Sequence, residues 1–287
     1  MKKYFILLSG IFCLPLWANA LNFTEAEKSF EEGNFSVAEK QYEQLLANAT
    51  GNDLLKTQLR LAACQYHQGK YLIAAQTIYN FPLPTDDVWK ARFLLYRIHM
   101  AKQVSQLYSP IQNDKEILAS HAEKDLSKWT NKQWLKQIDA DYQTLWALRA
   151  ALIYAPIEKE NLIIRLQGTD TSRIPTLFDF VVQDWTNYLQ SSNAFVSLTE
   201  QEEEEPFWEG TARILENEGK ERAIQTAYLL RTAYLLDGTN RQNAKIFWKT
   251  DYILLPFHRP NDFKIEDKER AINLALTQLN LLSGFSA

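Results

Sequence analysis

Apolar residues recur at spacings of three and four along most of this chain, the period of one face of a helix. The first run covers Thr24–Glu32 and stops at Gly33-Asn34. The second opens after Ser36, which is read as its N-cap, and carries Val37, Ala38, Tyr42, Leu45 and Leu46. Asp53 is read as the cap of a third, with Leu55, Leu59, Leu61, Ala62 and Tyr66 as apolar positions and Gly69 as its end. Tyr71–Tyr79 makes a fourth, closed by Pro82 and Pro84. Helices follow over Asp86–Lys102 and, after a break at Ser109-Pro110, over Asp114–Leu126 and from Thr130 to Tyr154. Thr130 and Gln133 have the spacing of a capping box. A short helix is expected over Glu158–Leu166, and another opens at Thr176 with Asp179 and runs through Trp185 and Tyr188. Phe207–Glu216, Glu221–Leu236, Arg241–Leu255 and Ile265–Leu282 complete the set, the last with Ile272, Ala275, Leu276, Leu279 and Leu282 on one face. Sustained alternation at period two is absent, so the expected class is all-α.

Two of these runs are near-copies. Gly33-Asn34-Phe35 followed by Ala38 matches Gly69-Lys70-Tyr71 followed by Ala74, 36 residues later. Ala26 matches Ala62, and Phe30 matches Tyr66. A period in this range marks stacked helical hairpins. The small residues let two helices approach, and the aromatic residues fill the space beside them. The segment resembles the tetratricopeptide repeat in two copies, without the tryptophan of that consensus. The expected fold is therefore a helical-hairpin solenoid continuing into an irregular α-helical array. Its expected segments are 1–20, 21–84 (the hairpins), 85–200 and 201–287, with the acidic run Glu202–Glu205 near the last boundary.

The first twenty residues change where this fold is placed. Lys2 and Lys3 precede an apolar stretch from Tyr4 to Trp17, and Ala18-Asn19-Ala20 is a small-x-small cleavage site. This is the form of a secretory signal peptide, cut after Ala20, and a bacterial periplasm is the expected compartment. The apolar part is shorter than the ~20 residues a membrane span needs, and no later run is long enough, so the mature chain is expected to have no transmembrane segment. Losing Lys2 and Lys3 leaves 29 basic against 35 acidic residues, a net charge of −6. That balance argues against nucleic acid as a partner. Cleavage also removes Cys13, so Cys64 cannot form an internal disulfide. Hydrophobic residues at 46% are enough for the core to hold the fold by itself.

No catalytic, cofactor or metal site emerges. Cys64 and His67 lie one helical turn apart, but two groups are fewer than a zinc site needs. None of His67, His99, His121 and His258 has a partner at ligand spacing. Glu202–Glu205 are consecutive, whereas calcium loops alternate their ligands and turn on a glycine. No carboxylate pair is marked out for glycan hydrolysis. Trp134, Trp146 and Trp185 fall at helical spacing and are read as core.

Residues 125–280 resemble the N-terminal helical region of the large bacterial alpha-2-macroglobulin-like proteins. Three segments carry this: Asp125-Leu126-Ser127-Lys128-Trp129-Thr130; Arg173-Ile174-Pro175-Thr176-Leu177-Phe178-Asp179-Phe180-Val181; and Arg222-Ala223-Ile224 with Tyr228-Leu229-Leu230. The middle segment is similar to that family's arginine-proline-threonine-leucine-aromatic-aspartate-phenylalanine stretch, with Ile174 inserted. In that family β-sandwich domains follow the helical region, and many members trap proteases through a thioester on a cysteine-glycine-glutamate-glutamine motif. Here Cys64 is followed by Gln65, and the sequence ends at Ala287 without β-rich domains. The resemblance thus implies a truncated or split helical arm, non-enzymatic, whose partner is a protein such as the remaining β-rich domains. The alternatives are a stand-alone tetratricopeptide-like scaffold for envelope protein assembly and a helical periplasmic glycan-active enzyme.

Overall fold

The structure is a computed structural model and describes residues 22–112, 125–164, 170–191, 193–198, 219–238, 240–259, 261–263 and 265–283. Among these residues the regular elements are all helical. The chain divides into two compact units between Gln68 and Gly69, inside the segment 21–84 that the repeat spacing groups together. The expected cleavage residues Ala18 and Ala20, the acidic run and the Phe207–Glu216 helix lie outside the described residues, as do residues 113–124 and His121.

The first unit holds α1 (Phe23–Glu31), α2 (Phe35–Leu46) and α3 (Gly51–His67). Asn22 caps α1 through its side chain, which accepts from the Glu25 amide. Gly33 ends it at φ +79°. The Gly33 amide donates to Phe30 O at 3.0 Å and the Asn34 amide to Ser29 O at 2.9 Å. That is the paired Schellman arrangement, which needs a residue comfortable in the left-handed region. Ser36 is not a cap: α2 begins at Phe35, behind Asn34. Nor is Asp53, because α3 starts two residues earlier at Gly51 and leaves Asp53 in its first turn. Ala26, Ala38 and Ala62 are fully buried, as is Tyr42. Val37, expected on the apolar face of α2, is instead exposed, because α2 buries the i, i+4 pair Ala38 and Tyr42.

The second unit continues with α4 (Tyr71–Asn80), α5 (Asp87–Gln112), α6 (Asn131–Ala147), α7 (Arg149–Leu152), α8 (Leu177–Leu189), α9 (Lys220–Leu235), α10 (Gln242–His258) and α11 (Ile265–Ser283). Neighbours in sequence pack on one another, and α5 touches α4, α6 and α7. The capping box at Thr130 and Gln133 is present, with both reciprocal bonds. Thr176 caps α8 through the Asp179 amide.

Four expectations fail on backbone detail. α5 runs through Ser109-Pro110 to Gln112, and its helix ends only two residues past the proline. The helix from Thr130 breaks at Leu148 into α6 and α7. The described part of the expected Glu158–Leu166 helix, up to residue 164, holds no α-helix: a 3₁₀ turn spans Ile157–Lys159. There the Ile157 amide donates to Pro175 O and the Leu177 amide to Ala155 O, so backbone pairing with the approach to α8 replaces a helical ladder. α10 carries Pro256 inside its last turn. The face of α11 is also rotated: Ala271 and Asp267 are buried while Ile272 and Leu276 are exposed.

Candidate functional site

The second unit is built around α5. It carries Arg92, Arg97 and Lys102, five residues apart, which on an α-helix is about 140° of turn per step. The three cations therefore point in three directions, and each meets a carboxylate from a later segment. Arg92 takes Glu160 through two bonds, at 2.8 and 2.9 Å. Arg97 takes Asp141 of α6 at 3.3 Å. Lys102 takes Asp184 of α8, at 3.1 and 3.2 Å.

The first two pairs are closed. Glu160 and Asp141 are buried. Burial pushes the Asp141 carboxyl up to about 6, against Arg97, Gln137 and Tyr79, which favour its ionised form. A fourth pair is sealed more completely. Asp179 accepts from Arg241 Nη2 at 2.6 Å, from Trp248 Nε1 at 2.9 Å and from Thr176 Oγ1 at 2.6 Å. Arg241 also donates to the Ala233 and Leu236 carbonyls at the end of α9. Neither side chain of this pair reaches solvent. One ion pair thus joins the start of α8, the end of α9 and the start of α10. Asp179 lies near the end of the Arg173–Val181 segment, and its contacts there tie helices together.

The Lys102–Asp184 pair is different because it opens on a cleft. The cleft lies between α5, α6 and the end of α8 and has a volume of 570 Å³. Its wall carries four carboxamides, Gln106, Asn131, Asn187 and Asn193, and two hydroxyls, Ser105 and Ser191. Leu135 and the Tyr188 ring supply the apolar part. At the base, Lys102 Nζ donates to Tyr142 Oη at 2.5 Å, and that hydroxyl donates to Asp184 Oδ2 at 2.6 Å. Tyr142 stacks on Trp185, with ring centroids 4.9 Å apart. Burial lowers the Lys102 ammonium below its ordinary value, and Asp184 opposes that shift. Burial, with Asp184 adding to it, pushes the Tyr142 hydroxyl well above its ordinary value. Among the described residues, Asp184 is the one carboxylate on the wall of this cleft, and Trp134, Trp146 and Trp185 are buried.

The residues singled out by the repeat lie elsewhere. Gly33 and Gly69 both adopt left-handed backbone, at φ +79° and +76°. Ala38 and Ala74 are fully buried. Phe35 stacks on His67 at 4.6 Å and meets Phe30 edge-on. Tyr71 is half-buried at the start of α4. The first copy belongs to the first unit, whereas the second is divided, with Ala62 and Tyr66 in the first unit and Gly69, Tyr71 and Ala74 in the second. Cys64 is buried, and burial pushes its thiol up to about 12. Among the described residues no group of three or more His, Cys, Asp or Glu is placed to hold a metal ion. No described helix is long and apolar enough to cross a membrane.

Sequence reasoning passed over Lys102, Asp184 and the amides. Lys102 marked only a helix end, and Tyr188 only a position along the helix from Thr176. A signal was available: α5 interleaves cations with Trp89, Phe93, Leu94 and Ile98, and a cation inside an apolar helix needs an acid from elsewhere. No protein-family model, curated protein or solved structure matches this chain significantly.

Proposed function

We propose that this chain is a secreted, periplasmic, non-enzymatic helical module that binds a polypeptide, and that the cleft beside Lys102 and Asp184 holds an extended segment of it. The observation that carries this reading is the lining. A carboxamide presents a donor and an acceptor side by side, as a peptide group does. Four of them, with two hydroxyls, suit a chain of peptide groups better than an apolar ligand. Lys102 and Asp184 add one charge of each sign, and Leu135 and Tyr188 offer surfaces for side chains. The tetratricopeptide-like start belongs to the same proposal as further hairpin surface. So does the helical arm of an alpha-2-macroglobulin-like protein, whose partner would be β-rich domains.

A photo-crosslinking residue at Asn187, exposed at the cleft, tests this in periplasmic extract, with exposed Thr144 on α6 as control position. A crosslinked polypeptide is expected at Asn187 and not at Thr144. It should disappear when Gln106→Leu and Asn131→Leu remove the amides at similar volume. Equal capture at both positions, or capture indifferent to the amides, would sink the reading. A β-rich partner points to the alpha-2-macroglobulin-like arm, and an envelope assembly protein points to the stand-alone scaffold.

A further inference from the structure

An asparagine two places ahead of a serine or threonine, with a residue other than proline between them, is the acceptor triplet for an N-linked glycan when it stands on the surface of a secreted chain. The sequence contains three such triplets: Asn22-Phe23-Thr24, Asn34-Phe35-Ser36 and Asn48-Ala49-Thr50. All three fall in the first unit, and no asparagine after Asn48 begins another. Each of the three asparagines is exposed. Asn22 has a task in the fold, because its Oδ1 accepts from the Glu25 amide at 3.0 Å and caps α1. Asn34 and Asn48 lie at the turns on either side of α2 and have no such task.

Asn34 stands directly before α2 but its side chain makes no capping bond. Its Nδ2 donates to the exposed Glu32 carboxylate at 3.3 Å, longer than a usual hydrogen bond. The second repeat copy shows that this turn does not need the triplet. There Lys70 replaces Asn34, with φ −84° and ψ 53° against −80° and 54°, and Leu72 replaces Ser36. At the other turn, Thr50 stands where a threonine hydroxyl commonly caps a helix, yet it makes no capping bond to α3. Ser36 and Thr50 are both exposed, so each triplet keeps its amide and its hydroxyl at the surface. We infer that the two turns flanking α2 are N-glycosylation sites, at Asn34 and Asn48. The bond that forms joins Nδ2 to the anomeric carbon of a glycan. The bond that breaks joins that carbon to the diphosphate of an activated glycan donor, which leaves with the electron pair, while the amide nitrogen gives up one proton. The product is bulky and hydrophilic, and both turns lie outside the buried contacts of Ala26, Ala38 and Ala62.

Trypsin separates the three triplets, because Lys28, Lys40 and Lys56 place them on peptides 21–28, 29–40 and 41–56 of the exported chain. Mass spectrometry of the full chain, purified from the cells that encode it, should find a bare first peptide beginning at Leu21. The other two should carry a glycan mass, on Asn34 and on Asn48. Ser36→Ala and Thr50→Ala each keep the asparagine and remove the hydroxyl of its triplet. Each should strip the glycan from its own peptide and leave the other's in place. The circular dichroism spectrum should not change, since neither side chain caps a helix. The inference rests on the secretion reading, and the first peptide tells the two apart. A chain that begins at Leu21 with Asn34 and Asn48 both bare overturns the inference and leaves that reading standing. A bare chain that still begins at Met1 ends both. A glycan on Asn22 alone, or one that survives loss of its hydroxyl, also overturns the inference.

Discussion

Asp179 and Asp184 sit five residues apart on one helix, and each is tied to a cation from a distant segment. Their surroundings make them different things. Asp179 is sealed by Arg241, Trp248 and Thr176, and neither it nor Arg241 reaches solvent. Asp184 keeps about a third of its side-chain surface open, and its Lys102 a fifth, on the wall of a polar cleft. The chemistry of the pairs is alike; water decides the role. A sealed pair is costly to break and has nothing left to offer a ligand. A pair at a cleft keeps lone pairs and N–H groups within reach of an incoming chain. Five residues on a helix is again about 140° of turn, enough to send one carboxylate toward α9 and α10 and the other toward α5 and α6.

The largest test of this contrast is Asp179→Ala. It leaves Arg241 charged and buried with its acid gone, and should lower the stability of the second unit by about 3–5 kcal/mol in urea unfolding. The double change Asp179→Leu with Arg241→Met should recover much of that loss, since an apolar pair of similar volume is often neutral. A loss below about 1 kcal/mol in the single variant would mean the pair is less sealed than its geometry says.

Next in size is the intermediate case, Asp141, buried but pushed up to about 6. The folded chain keeps a proton that the unfolded chain has already released. This group therefore favours folding fully below the ordinary carboxylate value, and its contribution fades as pH rises through about 6. The swing is about 3 kcal/mol between pH 4 and pH 7. Urea midpoints across that range should show it in the wild type, and the component should be missing from Asp141→Asn. A wild-type profile that rises over the same range would reverse the sign and refute the burial argument.

Thr176→Val comes third. It removes the hydroxyl that caps α8 and donates to Asp179, with an expected loss of about 1–2 kcal/mol in thermal unfolding. Asp184→Asn should have the smallest effect on stability, below about 1 kcal/mol, because this pair is partly screened by solvent. It should nonetheless weaken crosslinking from Asn187. A variant that loses stability like Asp179→Ala would erase the distinction between the two sites.

Local structure was largely legible in the residues. The all-α class followed from periodicity, and the caps at Thr130 and Thr176 followed from side chains three residues apart. Gly33 and Gly69 marked helix ends because a left-handed backbone there favours glycine. Expected caps failed where several polar residues competed, as Asn34 against Ser36 and Thr50 against Asp53. The face of α11 failed because Ile272 and Leu276 obey helical spacing as well as Ala271 does, and periodicity cannot say which stripe meets a neighbour. The cleft was not legible at all. Lys102 and Asp184 lie 82 positions apart, and Arg241 and Asp179 lie 62 apart.

Residue order along the chain is enough to say that it makes helices, where several of them stop, and that Ala26, Ala38, Ala62 and Ala74 are buried. Those outcomes depend on backbone sterics and on groups within one turn of each other. Which carboxylate meets which cation, and which of those pairs is shut away from water, is set by how the helices pack. Both depend on burial, a property of the assembled helices that no stretch of neighbouring residues contains.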